Sequence, residues 1–426
     1  MRSTPRLVVV VLMVLATACT DDVSSPAPIV YPERAADGAP TTWGTLGGVG
    51  ITGGYGSALA TDPRDPSIFY VMTDRGPNVT TGVSNQLLFP LPTFGPVIGR
   101  FQLVGDSLRR LSTIEMRTAT GARISGLPNP VGAGATGETA VGVGGTPLGT
   151  DPDGLDAEGL VVATDGTFWV SDEYGPHIVH LDATGRTIER INPFGNGAGG
   201  RRLPRVLALR RPNRGMEGLT ITPDGRTLVG MMQSPLDNPS AAIGRQSNAL
   251  RIVTFDIASG ATRQYVYETD AVGLLSSEIL ALSSTSFLVL ERDGNFQGGS
   301  PTSTSKRVYR IDVTGATDVS DPSDAPGGRL FGGRVLEALT AAERRAAGIV
   351  ATPKSLVVDL LTLPGGYPHD KAEGLAVIGN SRLVVSNDDD FGVVEGGVNS
   401  FINKMLPNGQ RDRLFLRFIT TATPFR

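Results

Sequence analysis

The tripeptide Glu-Gly-Leu occurs three times in this chain, and each copy opens the same pattern. It begins at Glu158, Glu217 and Glu373, and a short β-rich run, a turn and a second apolar run follow each time. Looser copies begin at Ser57 and at Ser277-Glu278. Two β-rich runs joined by Asp-Gly, Gly-Asn or a proline-containing turn predict a β-hairpin, so the sequence predicts five repeated hairpins.

A second pair of short apolar runs follows several of these hairpins. The pairs are 178–181 with 187–191, 251–255 with 262–267, and 308–311 with 355–361. Four strands per repeat are typical of a β-propeller, whose sheets bury their faces against each other around a ring. We therefore predict an all-β fold, a β-propeller with five four-stranded blades. Six blades are the alternative, because the intervals 57–158 and 278–373 are long enough to hold another blade.

The long intervals contain two predicted insertions. Residues 121–154 are rich in glycine and proline and predict an inserted loop, and residues 335–349 predict a short helix. The 55 glycines and 30 prolines of the chain suit many short strands joined by turns. We expect residues 41–46 to pair with the C-terminal strand at 412–419 and so to close the ring.

The N-terminus has the pattern of an export signal. Arg2 and Arg6 precede an apolar run at residues 7–15, which is too short to span a bilayer, and Ala16-Thr17-Ala18-Cys19 follows. This resembles a bacterial lipoprotein signal with Cys19 lipidated, and ordinary cleavage that leaves a free thiol is the alternative. Lipidation is favoured because Cys19 is the only cysteine and lies at the cleavage site.

These features predict three segments: a signal peptide at residues 1–18, a flexible tether at 19–42, and a propeller domain at 43–426. The protein would be exported to the bacterial cell envelope, on the periplasmic or outer-membrane face, with a lipid anchor as its only membrane contact. The net charge is -4 and no basic stripe is present, which argues against nucleic-acid binding. We expect a monomer.

Acidic residues recur where first strands begin and where second strands end. Both positions lie on one rim of a propeller, so these side chains are expected to share one channel mouth, where like charges need protonation, a metal ion or basic partners. Oxygen ligands without cysteine or clustered histidine favour calcium, then magnesium. The candidate metal ligands are Asp74, Asp172, Glu173, Glu291, Asp293, Asp388 and Asp389.

The glutamates that open the repeats have two alternative roles. They either face the mouth or lock neighbouring blades by accepting hydrogen bonds from backbone N–H groups. The third hairpin, which Glu217 opens, has Met232-Gln233 where the others have acids, so we expect Glu217 to be a blade-locking residue.

Catalytic candidates come from the same rim. Arg75 and Arg292 would grip phosphate oxygens, and His369 or Glu158 would carry the proton. No Gly-x-Ser-x-Gly elbow is present, so an α/β-hydrolase triad has no support.

Several motifs together resemble one bacterial family. They are DAEGLVVATDGTFWVSDEYGP at 156–176, DRGPN at 74–78, SGLPNP at 125–130, ERDGNF at 291–296 and KAEGLAV at 371–377. They are similar to proteins termed "esterase-like activity of phytase", over about residues 45 to 420. The resemblance implies a phytase-like propeller that hydrolyses phosphoesters or carboxylic esters.

Two functions follow as expectations. The first is a calcium-dependent hydrolase that acts on a small-molecule ester or phosphoester at the acidic mouth. The second is a non-catalytic cell-envelope propeller that binds a ligand or protein and holds metal ions for structural reasons.

Overall fold

The computed structural model describes residues 29–425 and contains three four-stranded antiparallel sheets and one eight-stranded sheet, which consists of two four-stranded blades joined at their outer strands. The chain enters through β1 (Arg34–Asp37) and a hairpin of β2 (Thr42–Leu46) and β3 (Val49–Thr52). The predicted signal peptide and Cys19 lie outside the described residues.

Each of the first two blades consists of four strands in chain order from the channel outwards. Blade 1 comprises β4 (Tyr55–Thr61), β5 (Ile68–Thr73), β8 (Val97–Val104) and β9 (Ser107–Glu115), with β6 (Val79–Thr80) and β7 (Gln86–Leu88) inserted after β5. Next come β10 (Thr139–Val141) and then blade 2, which comprises β11 (Ala157–Val162), β12 (Phe168–Asp172), β13 (His177–Leu181) and β14 (Thr187–Ile191).

The next two blades repeat this order. Blade 3 comprises β15 (Met216–Ile221), β16 (Thr227–Met232), β17 (Ala249–Asp256) and β18 (Thr262–Glu268). Blade 4 comprises β19 (Leu275–Ala281), β20 (Ser286–Arg292), β21 (Lys306–Asp312) and β24 (Lys354–Asp359), with β22 (Leu330–Phe331) and β23 (Arg334–Val335) inserted.

Blade 5 joins the two ends of the described chain. It comprises β25 (Ala372–Ile378), β26 (Arg382–Asn387), β29 (Phe415–Thr420) and β1, with the hairpin β27 (Val393–Gly397) and β28 (Ser400–Asn403) inserted. The inner strands contact each other in the order β4, β11, β15, β19, β25 and back to β4. The five-blade prediction is confirmed.

The N-terminal strand that closes the ring differs from the predicted one. β1 pairs antiparallel with β29, and residues 42–46, which were expected there, pair with β3 instead. Ala35 of β1 is buried in the apolar core beside Leu416, which explains why this short segment is held as a strand. The predicted tether at 19–42 is therefore wrong at its C-terminal end, since residues 34–37 belong to the propeller.

The apolar core consists of layers between successive blades. One cluster contains Leu59 and Val384 of blades 1 and 5, and another contains Met72 and Leu160 of blades 1 and 2. Three further clusters fill the remaining junctions in the same way. This packing follows from strands whose side chains are buried on both faces of the sheet.

Helical segments are few and lie in the insertions. They are the helices α1 (Ala241–Gly244) and α2 (Ala341–Ala346), and the 3-10 helices Arg205–Leu209, Leu336–Ala338, Leu360–Thr362 and Asp390–Gly392. The predicted short helix at 335–349 corresponds to α2, which Thr340 and Glu343 begin with a capping box. Among the described residues, none of the helices has the length and apolar character needed to span a membrane.

Candidate functional site

One end of the central channel opens into a cavity of about 480 Å³, which we call the mouth cavity. First strands begin here and second strands end here, as expected for the rim of a propeller. The residues that line it include ten acidic and four basic side chains: Asp74, Asp156, Glu158, Glu173, Glu217, Asp370, Glu373, Asp388, Asp390, Glu395, Arg75, Arg214, Arg292 and Lys371. Acidic side chains therefore outnumber basic ones in its lining.

Three aspartates converge at blades 1 and 5 and form what we call the first triad: Asp74, Asp388 and Asp390. Lys371 Nζ bridges two of them, at 2.9 Å from Asp388 Oδ2 and 2.5 Å from Asp390 Oδ1. Lys404 Nζ, which is buried, lies 2.6 Å from Asp390 Oδ2. Burial opposes ionisation of Asp390, yet the two ammonium groups hold its pKa below the usual range.

An aromatic cluster positions Asp390. Asp390 and Phe391 both have left-handed backbone, with φ of 47° and 60°. The Phe391 ring packs edge-on against Phe94 at 5.2 Å and against Trp43 at 6.5 Å. A Cβ on Gly54 would lie 2.2 Å from this ring, so glycine is required there. Tertiary packing thus maintains a strained turn that presents the aspartate to the cavity.

Three further carboxylates converge from blade 2 and form the second triad: Asp156, Glu158 and Glu173. Arg214 Nη1 lies 3.0 Å from Glu173, and Arg75 Nε lies 3.5 Å from Asp156. Glu158 is only 8% exposed and makes no hydrogen bond or ion pair within residues 29–425. Burial, and then the Glu217 carboxylate, raise the pKa of Glu158 well above its usual range.

Two aspartates link the triads electrostatically. Burial first, and then the nearby Asp156 carboxylate, raise the pKa of Asp74 to about 7. Burial likewise raises the pKa of Asp156 to about 7, although Arg75 opposes this. Protons or a cation must therefore compensate part of the charge in the mouth cavity at neutral pH.

Arg292 is a buried cross-link between blades. Its guanidinium donates to Glu373 and to Ser277, and it lies 4.0 Å from Glu217. One oxygen each of Glu217 and Glu373 is buried without a hydrogen-bond partner in the described chain. The arginine therefore holds two carboxylates at the cavity and leaves an acceptor on each.

The structure does not bring four of the predicted metal ligands to the mouth cavity. Asp172 accepts backbone hydrogen bonds from Asp156 and Gly175, and Asp389 accepts them from Gly54, Phe391 and Leu414. The remaining two have comparable surroundings. Asp293 accepts from Ser303, Thr304 and Ser305, and Glu291 accepts from Tyr267, Lys354 and the Asp270 backbone.

The direction of each side chain explains which of the predicted ligands reach the mouth cavity and which do not. Successive side chains point to opposite sides, so Glu291 faces away from the channel while its neighbour Arg292 faces it. The turns after β12 and β26 have the same effect, because Glu173 and Asp388 reach the cavity and Asp172 and Asp389 turn back to backbone N–H groups.

His369 also lies outside the mouth cavity. Its Nδ1 is 2.7 Å from Asp412 Oδ1, and its ring packs between Tyr367 and Phe415. Three residues separate it from Glu373, and the intervening turn directs Asp370 and Lys371 to the cavity instead. The structure therefore gives no support to His369 as a proton carrier, whereas Glu158, Arg75 and Arg292 all line the cavity.

Glu217 does not have the blade-locking role expected for it, and Glu278 has that role instead. Glu278 pairs with Leu290 as Gly218 of blade 3 pairs with Met231, so Glu278 takes the place of the glycine in Glu-Gly-Leu and Ser277 takes that of Glu217. Glu278 therefore lies deeper in the channel, where Oε1 accepts from Leu219 N of blade 3 at 3.1 Å. Glu278 is the blade-locking residue and Glu217 lines the mouth cavity.

Sequence reasoning missed several cavity residues. Asp156, Asp370 and Arg214 each stand two or three residues before a Glu-Gly-Leu, and that spacing is the signal which could have identified them. Glu395, which lines the cavity, belongs to the β27–β28 hairpin; Glu138, in the glycine-rich insertion, pairs with the cavity residue Arg75 at a distance of 2.9 Å. These two have no sequence signal, because the insertions carry no repeat.

The donor set of the mouth cavity fits a hard divalent cation. All candidate ligands are carboxylate oxygens, which calcium and magnesium prefer. The partnerless Glu158 and the unpaired oxygens of Glu217 and Glu373 are acceptors that protein donors leave free in the described chain. Either triad supplies three carboxylate oxygens within 4.8 Å of one another.

Comparisons with solved structures report weak overall likeness. Streptogramin B lyase is 11% identical, with 86% of both chains covered and a TM-score of 0.32. The β-propeller domain of Myceliophteria thermophila Cps50 (Swd1) is 11% identical, with 55% of this chain and 63% of that chain covered and a TM-score of 0.26. Likeness at this level says nothing about activity.

Comparisons of sequence are more informative. An "Uncharacterized secreted protein" of Arthroderma benhamiae is 31% identical over 225 residues, which are 43% of this chain and 43% of that protein. The chain thus spans less than half the length of that relative. A family model described as "Phytase-like: Esterase-like activity of phytase" matches residues 51–391. Because this match covers most of the chain, the protein belongs to the phytase-like family described as esterase-like activity of phytase.

Proposed function

We propose that the protein is an exported, divalent-cation-dependent hydrolase of small phosphoesters or carboxylic esters that acts in the mouth cavity. The observation that carries the proposal is the convergence of two carboxylate triads around Glu158, a buried acid without a protein partner in the described chain. The family description supports ester hydrolysis as the reaction class.

A cation is part of the proposal for an electrostatic reason. Ten acidic and four basic described side chains line the cavity, so an anionic phosphoester would be repelled without added positive charge. Calcium is proposed first and magnesium second, with either triad as the ligand set. A bound calcium ion would supply Lewis-acid polarisation of an ester or phosphoester oxygen.

The remaining roles, proton transfer and substrate binding, are assigned to individual side chains. Burial and the neighbouring Glu217 raise the pKa of Glu158 above its usual range. With the cation in the first triad, this carboxyl would pass a proton to a leaving-group oxygen; with the cation in the second triad, it would be a ligand. Arg75 Nη1 is held by Glu138, Tyr174 and Asn213, while Nη2 makes only a 3.5 Å contact with Asn78. That nitrogen can donate a hydrogen bond to a substrate anion, and Arg292 positions Glu217 and Glu373.

The test is hydrolysis of a panel of phosphomonoesters and carboxylic esters by purified protein with calcium or with chelator. We expect calcium-dependent turnover that falls about a hundredfold or more in Glu158→Gln, the range of a general acid. Asp165→Asn is the matched control, because Asp165 lies in the exposed turn at the other end of blade 2. Equal activity of wild type and Glu158→Gln would contradict the assignment.

A non-catalytic binding propeller is the second candidate. It is favoured by one observation: Arg75, Arg292 and Lys371 each already pair with a carboxylate of the protein. Binding of calcium without turnover on any ester of the panel would support this candidate over the hydrolase.

Export and lipid anchoring are proposed from the N-terminus. Arg2, Arg6, the apolar run 7–15 and Cys19 form a lipoprotein-type signal, and the curated fungal relative is described as secreted. Wild-type protein should partition with membranes, and Cys19→Ser should be released into the soluble fraction. Equal partition of both forms would contradict lipidation. We also propose a monomer, which light scattering on the purified chain would test.

A further inference from the structure

The two triads of the mouth cavity have different cationic neighbours. In the first triad an ammonium group lies among the carboxylates, since Lys371 Nζ is within 2.9 Å of Asp388 and 2.5 Å of Asp390. Lys404 adds a second ammonium at Asp390. A compact ammonium with three donors satisfies carboxylate oxygens much as a small metal ion does.

The second triad has no ammonium among its members. Arg214 meets Glu173 at 3.0 Å, and Arg75 is shared between Asp156 and Glu138. Both guanidinium groups contact one member each and leave Glu158 without a partner in the described chain, although it is more than nine-tenths buried. The neighbouring Glu217 adds a buried oxygen that also lacks a partner there.

We infer that Lys371 acts as a built-in cation in the first triad, so that the mouth takes one divalent cation, at Asp156, Glu158 and Glu173. This inference rests on the proposed cation dependence and specifies which residues bind. A divalent ion in the first triad would have to displace an ammonium from two carboxylates, whereas in the second triad it meets acceptors that have no other partner. Removal of Lys371 should therefore open a second site.

Isothermal titration with calcium chloride tests the number of sites. We expect one site in wild type and two in Lys371→Met. Lys354→Met is the matched control, because Lys354 also bridges two carboxylates, Asp270 at 2.6 Å and Glu291 at 3.0 Å, on the outer side of blade 4. It should keep one site. Two sites or none in wild type, or one site in Lys371→Met, would overturn the inference.

A second pair of variants keeps the inference testable if Lys371→Met does not fold. Glu158→Gln should weaken calcium binding about tenfold or more, and Asp388→Asn should change it less than about threefold. The reverse result would place the cation in the first triad and overturn the inference. Ester turnover is measured separately. If wild type binds one calcium ion but hydrolyses no ester, the hydrolase proposal is contradicted and this inference stands. If wild type hydrolyses an ester while it binds two calcium ions, this inference is contradicted and the hydrolase proposal stands.

Discussion

The rim acids of this propeller divide into two regions with opposite surroundings. The inner rim, represented by Glu158, Glu173, Glu217 and Asp388, faces the mouth cavity. The acids behind the rim accept backbone hydrogen bonds, as Asp389 does from three N–H groups. Adjacent residues can fall on opposite sides of this division. An acidic residue at a strand end is therefore a site candidate only when its direction is known.

The largest effect should come from Asp389→Ala, behind the rim. It leaves the N–H groups of Gly54, Phe391 and Leu414 without their acceptor, which should lower the free energy of unfolding by about 3 kcal/mol or more. Glu158→Ala removes a carboxylate that has no partner in the described chain, so its free energy of unfolding in chelator should be no lower than that of wild type. Denaturant titration of both variants tests this prediction. Equal losses of unfolding free energy in the two variants would contradict the distinction between the two regions.

The next effect concerns Glu278, which locks two blades, and Glu217, which lines the mouth cavity. Glu278→Ala removes the acceptor for Leu219 N and Ile279 N and should cost about 2 kcal/mol of stability. Glu217→Gln should instead raise the melting temperature in chelator, because it removes repulsion with Glu173 and Glu373 from a buried site. Thermal melts of these variants beside wild type test this. A stabilised Glu278→Ala would disprove its blade-locking role.

A smaller effect is expected on calcium affinity. Glu158→Gln should weaken binding about tenfold, equivalent to roughly 1.4 kcal/mol, because it replaces a charged ligand by a neutral amide of the same shape. Asp293→Asn, behind the rim, should leave affinity unchanged, since Asp293 holds its own loop through Ser303, Thr304 and Ser305. Calcium titration would contradict the division if Asp293→Asn bound more weakly than Glu158→Gln.

The smallest effect is expected on the pH dependence of stability, and it extends over a wide pH range. Burial raises the pKa of Asp74 and Asp156 to about 7 in the folded protein, above the value near 4 of an unfolded chain. The folded state then binds more protons, so this stabilisation is complete below about pH 4 and is lost as the pH rises to about 7. Melting temperatures in chelator should fall across that window, and calcium should flatten the slope. If the calcium-free protein became more stable from pH 5 to 7, an excess of buried negative charge in the mouth cavity would be contradicted.

Much of the fold was predictable because its signals are local. Hairpin turns such as Asp165-Gly166 and the paired apolar runs gave five blades and their strand pairs. The closing strand was not predictable, because Arg34–Asp37 has little β-strand character and its partner is β29 at the far end of the chain.

The candidate site was predictable only in part. The repeat located the rim and acids such as Glu158 and Asp388. It did not reveal the register shift that moves Glu278 down the channel, nor the turns that send Asp172 and Asp389 backwards. Both depend on backbone geometry, because a change of one residue along a strand reverses the direction of a side chain.

The most direct test of the central claim is the thermal unfolding of wild-type protein in chelator and in calcium. A cation that binds only the folded mouth cavity should stabilise the protein by about 2.7 kcal/mol per site at a hundred times its dissociation constant. The account predicts a clear rise in melting temperature with calcium that is much reduced in Glu158→Gln. Identical wild-type melting curves in chelator and in saturating calcium would contradict it.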